Sequence, residues 1–482
     1  MHPLISRTRV LAAAVAAATA MWAPAAAAKT VVVNDASDFK AASCAVGGVC
    51  TLRAAIVEAV ATPGRDVIAF DPAVFPLGAT VRIGVESPLP VIADPAGTVI
   101  DGTGASVEIG SDIPPTGDDT TAPDGLVFAS APGVPLRDVA VIGVTVSGFE
   151  GSGIVICGGA QFECVADVVA PVVRRVTTRW NGPSGVTVTG QNVTKARIEE
   201  SVASQNRDAG MVVNGFGTVA ATRIARSIAK GNGFVGILVG PLTESISDLA
   251  ITDTSATGGE GGIVATAFGL ISKITLGNVV VSGTTEAGVY VYADAVAALS
   301  ATNVVASRNE WGGMYVRGDR IDGVTLKDVV TNANTYGLQI DSEDVVGAKI
   351  TQVTAAGNSV NGIMLRELKG AKISKVTSVG NGVQGLILRG TGNTLKQSRF
   401  AENIGEGLRL AGPGGGNTLT GISATANQAA GIYVDVENVG NTFKKNVALA
   451  TDAIDLYDAN PGCGSNVWKH NIFERRNDPC IR

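Results

Sequence analysis

Tyrosine is scarce in this 482-residue chain, six in all, and five of the six recur at matching places. Tyr290, Tyr315 and Tyr433 each stand two residues after a glycine that opens a short aliphatic motif, as does Arg409. Tyr292, Arg317, Asp341, Arg366, Arg389, Asp435 and Tyr457 stand four residues after the same landmark, with Ala453 replacing the glycine for Tyr457. Trp311 lies in the turn just before one such glycine, Gly313, and Tyr336 is the tyrosine outside the pattern. If these positions share one surface, the rings can pack on sugar faces and the arginines can pair with the carboxylates of an extended acidic chain. Arg366 and Arg389 would then sit about 5 Å apart, where like charges cost roughly 1 kcal/mol unless neutralised. β-Elimination of a uronate needs a base for the C5 proton and cations to hold the enolate-like intermediate. Tyr315, Arg317, Asp341, Arg366 and Arg389 are the candidates for those roles. Tyr290, Tyr292, Trp311, Arg409, Tyr433, Asp435 and Tyr457 are the candidates for substrate contact. The plainer alternative is a surface charge ladder among aromatics that strands favour anyway.

Other chemistry is poorly provided for. After the first 28 residues the chain holds one histidine, His470, so histidine acid–base catalysis is not expected. The Asp118-Asp119 doublet has no partner motif, and no Ser-His-Asp or P-loop candidate stands out. No Cys-x-x-Cys spacing and no Gly-Gly-x-Gly-x-Asp nonapeptide is present, so neither a metal nor a cofactor is expected, and a Ca²⁺ ion has no motif to support it. A net charge of −6 argues against a nucleic-acid partner.

What must position these residues is a repeat. The motif, Gly-aliphatic-x-aliphatic, begins at Gly125 and recurs at Gly153, Gly185, Gly210, Gly236, Gly262, Gly288, Gly313, Gly337, Gly362, Gly385, Gly407 and Gly431, with a degenerate copy at Ala453, at spacings of 22 to 32 residues. Each copy reads as a short strand whose first and third residues after the glycine point inward. A single copy cannot bury that side, so copies stack coil on coil, and at about 4.8 Å per strand fourteen of them make a rod on the order of 65 Å long. The signatures of leucine-rich, helical and propeller repeats are missing. The expected fold is all-β, a single parallel β-helix solenoid of about fourteen coils. Asparagine recurs four residues before the glycine at Asn181, Asn206, Asn232, Asn309, Asn358, Asn381, Asn403 and Asn427. Those asparagines read as a hydrogen-bonded ladder along the rod, with sugar binding as the alternative.

The ends need covering. Thr51 reads as an N-cap for a helix whose face is Leu52, Ala55, Ile56, Ala59 and Val60. The chain divides into a signal peptide (1–28), an N-terminal cap with irregular first coils (29–124), regular repeats (125–460) and a C-terminal cap (461–482). Arg7 and Arg9, the apolar run from Val10 to Met21 and Ala26-Ala27-Ala28 form the export signal. The protein is therefore expected in the periplasm or the medium, without a transmembrane segment. Six cysteines in local pairs then favour the disulfides Cys44–Cys50, Cys157–Cys164 and Cys463–Cys480. The outward Val127, Val155, Val212, Leu238 and Val264 form an aliphatic stripe, to be covered by residues 66–124, by side-by-side association of rods or by docking on a cell surface.

The stretch CAVGGVCTLRAAIVEA at 44–59 resembles the CSLREA-type N-terminal signature of exported bacterial right-handed β-helix proteins, as do GRDVIAF at 64–70, VIDG at 99–102 and CGSNVWKHNIF at 463–473. Ala54 departs from the acidic residue usual there. The resemblance implies a right-handed, pectate-lyase-like solenoid. It does not imply one activity, since that group spans pectate lyases, polygalacturonases, alginate-active enzymes, tailspikes and non-catalytic surface proteins. The Asn-Thr-Asp, Asp-Asp, Gly-His-Gly and Arg-x-Lys set of polygalacturonases and the Asp-Pro-His-Asp cluster of alginate epimerases are both absent. Two functions follow as expectations: binding of an acidic polysaccharide or cell-surface glycan, with lyase chemistry as a further step, or a non-catalytic, adhesin-like scaffold.

Overall fold

The computed structural model describes residues 28–482 apart from 40–43, 45–47, 63, 116–121 and 161–162. The export signal up to Ala27 and the Asp118-Asp119 doublet lie outside the described residues. The motif strands pair in one parallel ladder of fourteen, from Leu126–Phe128 to Ile454–Asp458. Their register keeps like positions stacked, Val289 on Met314 on Leu338 on Ile363. Those inward residues are fully buried and join one continuous core of Val, Ile, Leu and Ala.

Each coil carries three more short strands. After the motif strand Gly312–Arg317 come Arg320–Asp322 and Thr325–Val330, which bends at Asp328 into two segments, before the next motif strand Tyr336–Asp341. The bends are single left-handed residues, here Gly323, Asp328 and Ala333 at φ +68°, +53° and +57°. One such residue turns the chain while leaving both flanks extended. It costs a non-glycine about 1–2 kcal/mol, which the stacked coils on either side offset.

The asparagine column is a ladder. Each side-chain amide donates to the carbonyl oxygen of the next, Asn334 to Asn358 at 3.2 Å, Asn358 to Asn381 at 2.9 Å and Asn381 to Asn403 at 2.8 Å. That oxygen also accepts the backbone N–H of the preceding asparagine. These side chains are buried and in use, so the sugar-binding alternative falls. The ladder includes Asn334, which stands three residues before Gly337 and escapes a four-residue rule. It breaks where Gly258 takes the place between Asn232 and Thr284. A second ladder, Asn393–Asn417–Asn441–Asn466, runs along another corner.

The described strands between Thr30 and Ser111 wind as coils rather than folding over the aliphatic stripe. Thr30–Val33, Val67–Phe70 and Val99–Asp101 form three rungs below Ala140–Ile142, and Ile92 bridges to Phe128. Only the end of the stripe is covered: Val127 is buried, while Val155, Val212, Leu238 and Val264 are half-buried. The helix Leu52–Ala61 plugs the first coil, with Thr51 Oγ1 accepting the Ala54 N–H at 3.3 Å. Arg53 is buried beside it. Its guanidinium donates to both oxygens of Asp38 at 2.9 and 2.7 Å and to the Ser87 and Pro88 carbonyls.

At the far end Val467–Lys469 adds a last rung, and Trp468 stacks on Phe443 at 3.7 Å. Asp455, an outward position by motif spacing, is fully buried because the tail crosses it. Burial opposes its charge, but the Arg475 N–H, the Thr451 hydroxyl and the Glu474 N–H outweigh that and hold the carboxyl below its usual value. A depressed folded-state pKa adds stability that is present above the unfolded value, near 4, and lost as pH falls through the folded value. Melting temperature should therefore drop more steeply between about pH 5 and 3 in the native protein than in Asp455→Asn. Equal slopes would show the tail is not held this way. The pairs Cys44–Cys50, Cys157–Cys164 and Cys463–Cys480 are disulfide-bonded. The one potential metal grouping among the described residues, Cys463, Asp478 and Cys480, has both sulfurs in that last bond. No helix among the described residues is long and apolar enough to cross a membrane.

Candidate functional site

On the outward side of the motif ladder the strands Val235–Val239, Gly261–Thr266, Ala287–Tyr292 and Gly312–Arg317 lie side by side. They form the floor of a cleft of about 480 Å³, with Leu238, Val264, Tyr290 and Tyr315 in successive rungs. Phe234, Glu260, Glu286 and Trp311, each two residues before a motif glycine, make one wall, and Arg317 closes the end. The rings touch: Tyr290 to Tyr315 at 5.5 Å, Trp311 to Tyr315 at 5.2 Å, and Tyr290 stacked on Tyr292 at 6.1 Å. Tyr336, the sixth tyrosine, leans on the far side of Trp311 at 6.2 Å. Phe234 is 47% exposed, an apolar ring at the mouth that stacks on no other ring among the described residues.

The polar groups divide into used and available ones. The Tyr315 hydroxyl donates to Asp341 Oδ2 at 3.2 Å. Burial first, then the Asp341 carboxylate, push its pKa above the ordinary phenol value, and burial does the same for Tyr290. Arg366 pairs with Asp341 at 3.4 Å, and Arg389 with Glu367 at 2.6 Å. The expectation that Arg366 and Arg389 await outside carboxylates is thereby corrected: this chain neutralises both, and their surroundings are a shallow depression rather than part of the aromatic cleft. Arg317 differs. It lies 5.7 Å over the Tyr292 ring, and among the described residues it makes no ion pair; the same holds for Glu260 and Glu286. The Glu286 N–H donates to the Glu260 carbonyl at 2.7 Å, so the two carboxylates leave the backbone on adjacent rungs.

The remaining candidates form a separate cluster. Arg409 holds Asp435 through Nε and a terminal nitrogen at 3.0 and 3.2 Å, and lies 5.3 Å over Tyr433. Tyr433 stacks on Tyr457 at 4.7 Å, nearly parallel. This cluster is five rungs beyond Tyr315, roughly 24 Å along the rod. The structure thus joins Tyr290, Trp311, Tyr315 and Arg317 in one cleft, sets Tyr292 outside its lining against Tyr290 and Arg317, and keeps Arg409, Tyr433, Asp435 and Tyr457 apart from it. Phe234, Glu260 and Glu286 are absent from the columns read in the sequence. Their signal was the shared spacing to the glycine that already picked out Trp311. His470 is an exposed corner residue at φ +54°.

The stacked rungs make the chain a single parallel β-helix solenoid, with rings and charges on one outward side. The family profile described as right handed beta helix region matches residues 287–447 and 336–482. Among solved structures, the chain is similar to pectate lyase Pel9A at 13% identity, over 64% of this chain and 79% of that one, with a TM-score of 0.39. It is also similar to the A-module of the Azotobacter vinelandii mannuronan C-5 epimerase AlgE4, at 13% identity over 78% and 90% of the two chains, TM-score 0.37. A third is the periplasmic alginate epimerase AlgG, at 10% identity over 80% and 84%, TM-score 0.39. These likenesses carry no residue-level correspondence. No curated protein matches the chain by sequence.

Proposed function

We propose that the motif face binds an extended polysaccharide, with sugar rings against Phe234, Tyr290 and Trp311. Glu260 and Glu286 accept from hydroxyls, and Arg317 receives a uronic carboxylate. The observation that supports this is the open cleft of tilted and edge-packed rings flanked by charged groups that make no ion pair among the described residues. Rings offer apolar area at little entropic cost, and a few polar groups fix orientation. The reading is of binding rather than lyase catalysis. A lyase base must be free to take a proton, whereas the Tyr315 phenol is kept protonated by its surroundings and donates to Asp341. Three disulfides and the Ala-rich N-terminal segment favour an exported, oxidising location.

Trp311→Ala should weaken binding of the preferred oligosaccharide by about tenfold or more, as buried aromatic anchors do, while leaving the thermal midpoint nearly unchanged. Titration calorimetry across pectate, alginate, glycosaminoglycan and neutral glucan oligomers checks it, with absorbance of unsaturated products recorded in parallel. No binding by any of them would leave the scaffold reading. That reading draws on the self-paired Arg366, Arg389 and Arg409.

A further inference from the structure

Away from the motif face, the segments opening with Thr325, Lys349, Lys372 and Thr394 stack in register, and the ladder continues through Thr418–Thr420 and Thr442–Lys444 to Val467–Lys469. Their outward columns carry one lysine on each of four consecutive rungs, Lys327, Lys349, Lys372 and Lys396, then Lys444 and Lys469 further on. All six are exposed. Lys327 lies 3.9 Å from Asp328, and among the described residues the other five make no ion pair. The remaining outward positions on these rungs are Thr, Ser and one Val, without a carboxylate. A shallow groove of about 490 Å³ runs between Lys349, Lys372 and Lys396, with the hydroxyls of Thr351, Ser374 and Thr394 along it. In a chain of net charge −6 this is a concentrated cationic strip.

A second pattern coincides with it rung for rung. The left-handed corner before every one of these strands but the last is a glycine: Gly323, Gly347, Gly370 and Gly392 beside the first four, then Gly416 and Gly440. On earlier rungs the same corner holds Asp138, Ala170, Lys195, Ala221, Asp248, Lys273 and Ala298 at comparable φ, so the bend itself tolerates a side chain. A Cβ at Gly370 would meet nothing within 4 Å. The glycines therefore leave one edge of the lysine strip bare where packing does not require it.

We propose that this face is a docking track for one strand of an anionic polysaccharide, its carboxylates meeting one ammonium per rung. Rungs repeat at about 4.8 Å, close to the rise of one sugar in an extended chain, and unpaired lysines at that spacing repel one another until counter-charges arrive. Nucleic acid fits less well. The strip offers ammonium points rather than guanidinium forks, and it has no exposed ring for a base to stack on. The inference stands apart from the motif-face cleft.

Calorimetry of the full-length protein with a polygalacturonate oligomer of about ten sugars tests it, at two salt concentrations, with single-stranded DNA as competitor. The triple variant Lys349→Gln, Lys372→Gln, Lys396→Gln should lose at least about tenfold in affinity and lower the salt slope by two to three. Gly370→Asn, which keeps the charge and suits a left-handed corner, should weaken binding several-fold by crowding the edge. Trp311→Ala should leave this salt-dependent mode intact, which separates the track from the cleft. The proposal is overturned by absence of salt-sensitive binding in the native protein, by unchanged binding in the triple variant, or by DNA binding as tightly as polygalacturonate.

Discussion

Asn358→Ala should cost about 2–6 kcal/mol of stability, because it strips the acceptor from two buried donors at once. Asn358 Oδ1 receives both the backbone N–H of Asn334 at 3.0 Å and its side-chain amide at 3.2 Å, and Asn358 itself is only 1% exposed. Alanine leaves both donors unsatisfied and adds a small cavity between coils. In a solenoid each coil touches only its neighbours, so the damage also loosens the coupling between the halves of the rod. Urea unfolding should show a lower midpoint together with a broader or split transition. A midpoint within experimental scatter of the native one would mean the ladder follows from stacking and contributes little to it.

Arg53→Ala should cost about 3–5 kcal/mol, since it strands a buried carboxylate. Both side chains of the pair are nearly inaccessible, 9% for Arg53 and 2% for Asp38, and the guanidinium also satisfies the Ser87 and Pro88 carbonyls. Ion pairs that have lost contact with water stabilise little relative to apolar residues of like volume, but half a pair is costly. The double variant Arg53→Met with Asp38→Leu should therefore recover much of the loss. Failure to recover would show that the cap depends on the hydrogen bonds to 87 and 88 more than on the charge. The arginine sits in the N-terminal signature that also provides Cys50 and Thr51, so this stretch serves to close the coil rather than to do chemistry.

The winding was readable because inward and outward residues alternate strictly along a strand and the glycine marks the phase. Met314 and Val316 had to face the core once Gly313 was aligned, and they do. Local cysteine spacing likewise foretold the three bridges. What escaped lay outside that phase. Glu260, Glu286 and Phe234 project from the turn before the strand, where direction depends on how the corner bends. Glu367, which neutralises Arg389, is one position past the column that was read, and so an arginine ladder looked more needy than it is. Asp455 has the right spacing for the outer stripe, but the returning tail buries it. The lysine strip has no glycine-aliphatic motif to anchor it, and it emerges only when Thr325, Lys349, Lys372 and Thr394 are seen in register.

The most direct measurement of the central claim is hydroxyl-radical footprinting of the aromatic side chains with and without saturating oligosaccharide. Phe234, Tyr290 and Trp311 should become protected from oxidation together, while Trp180, 55% exposed on another part of the rod, should oxidise at an unchanged rate. Protection that spares Tyr290 and Trp311, or that falls equally on Trp180, would contradict a glycan-binding cleft on the motif face.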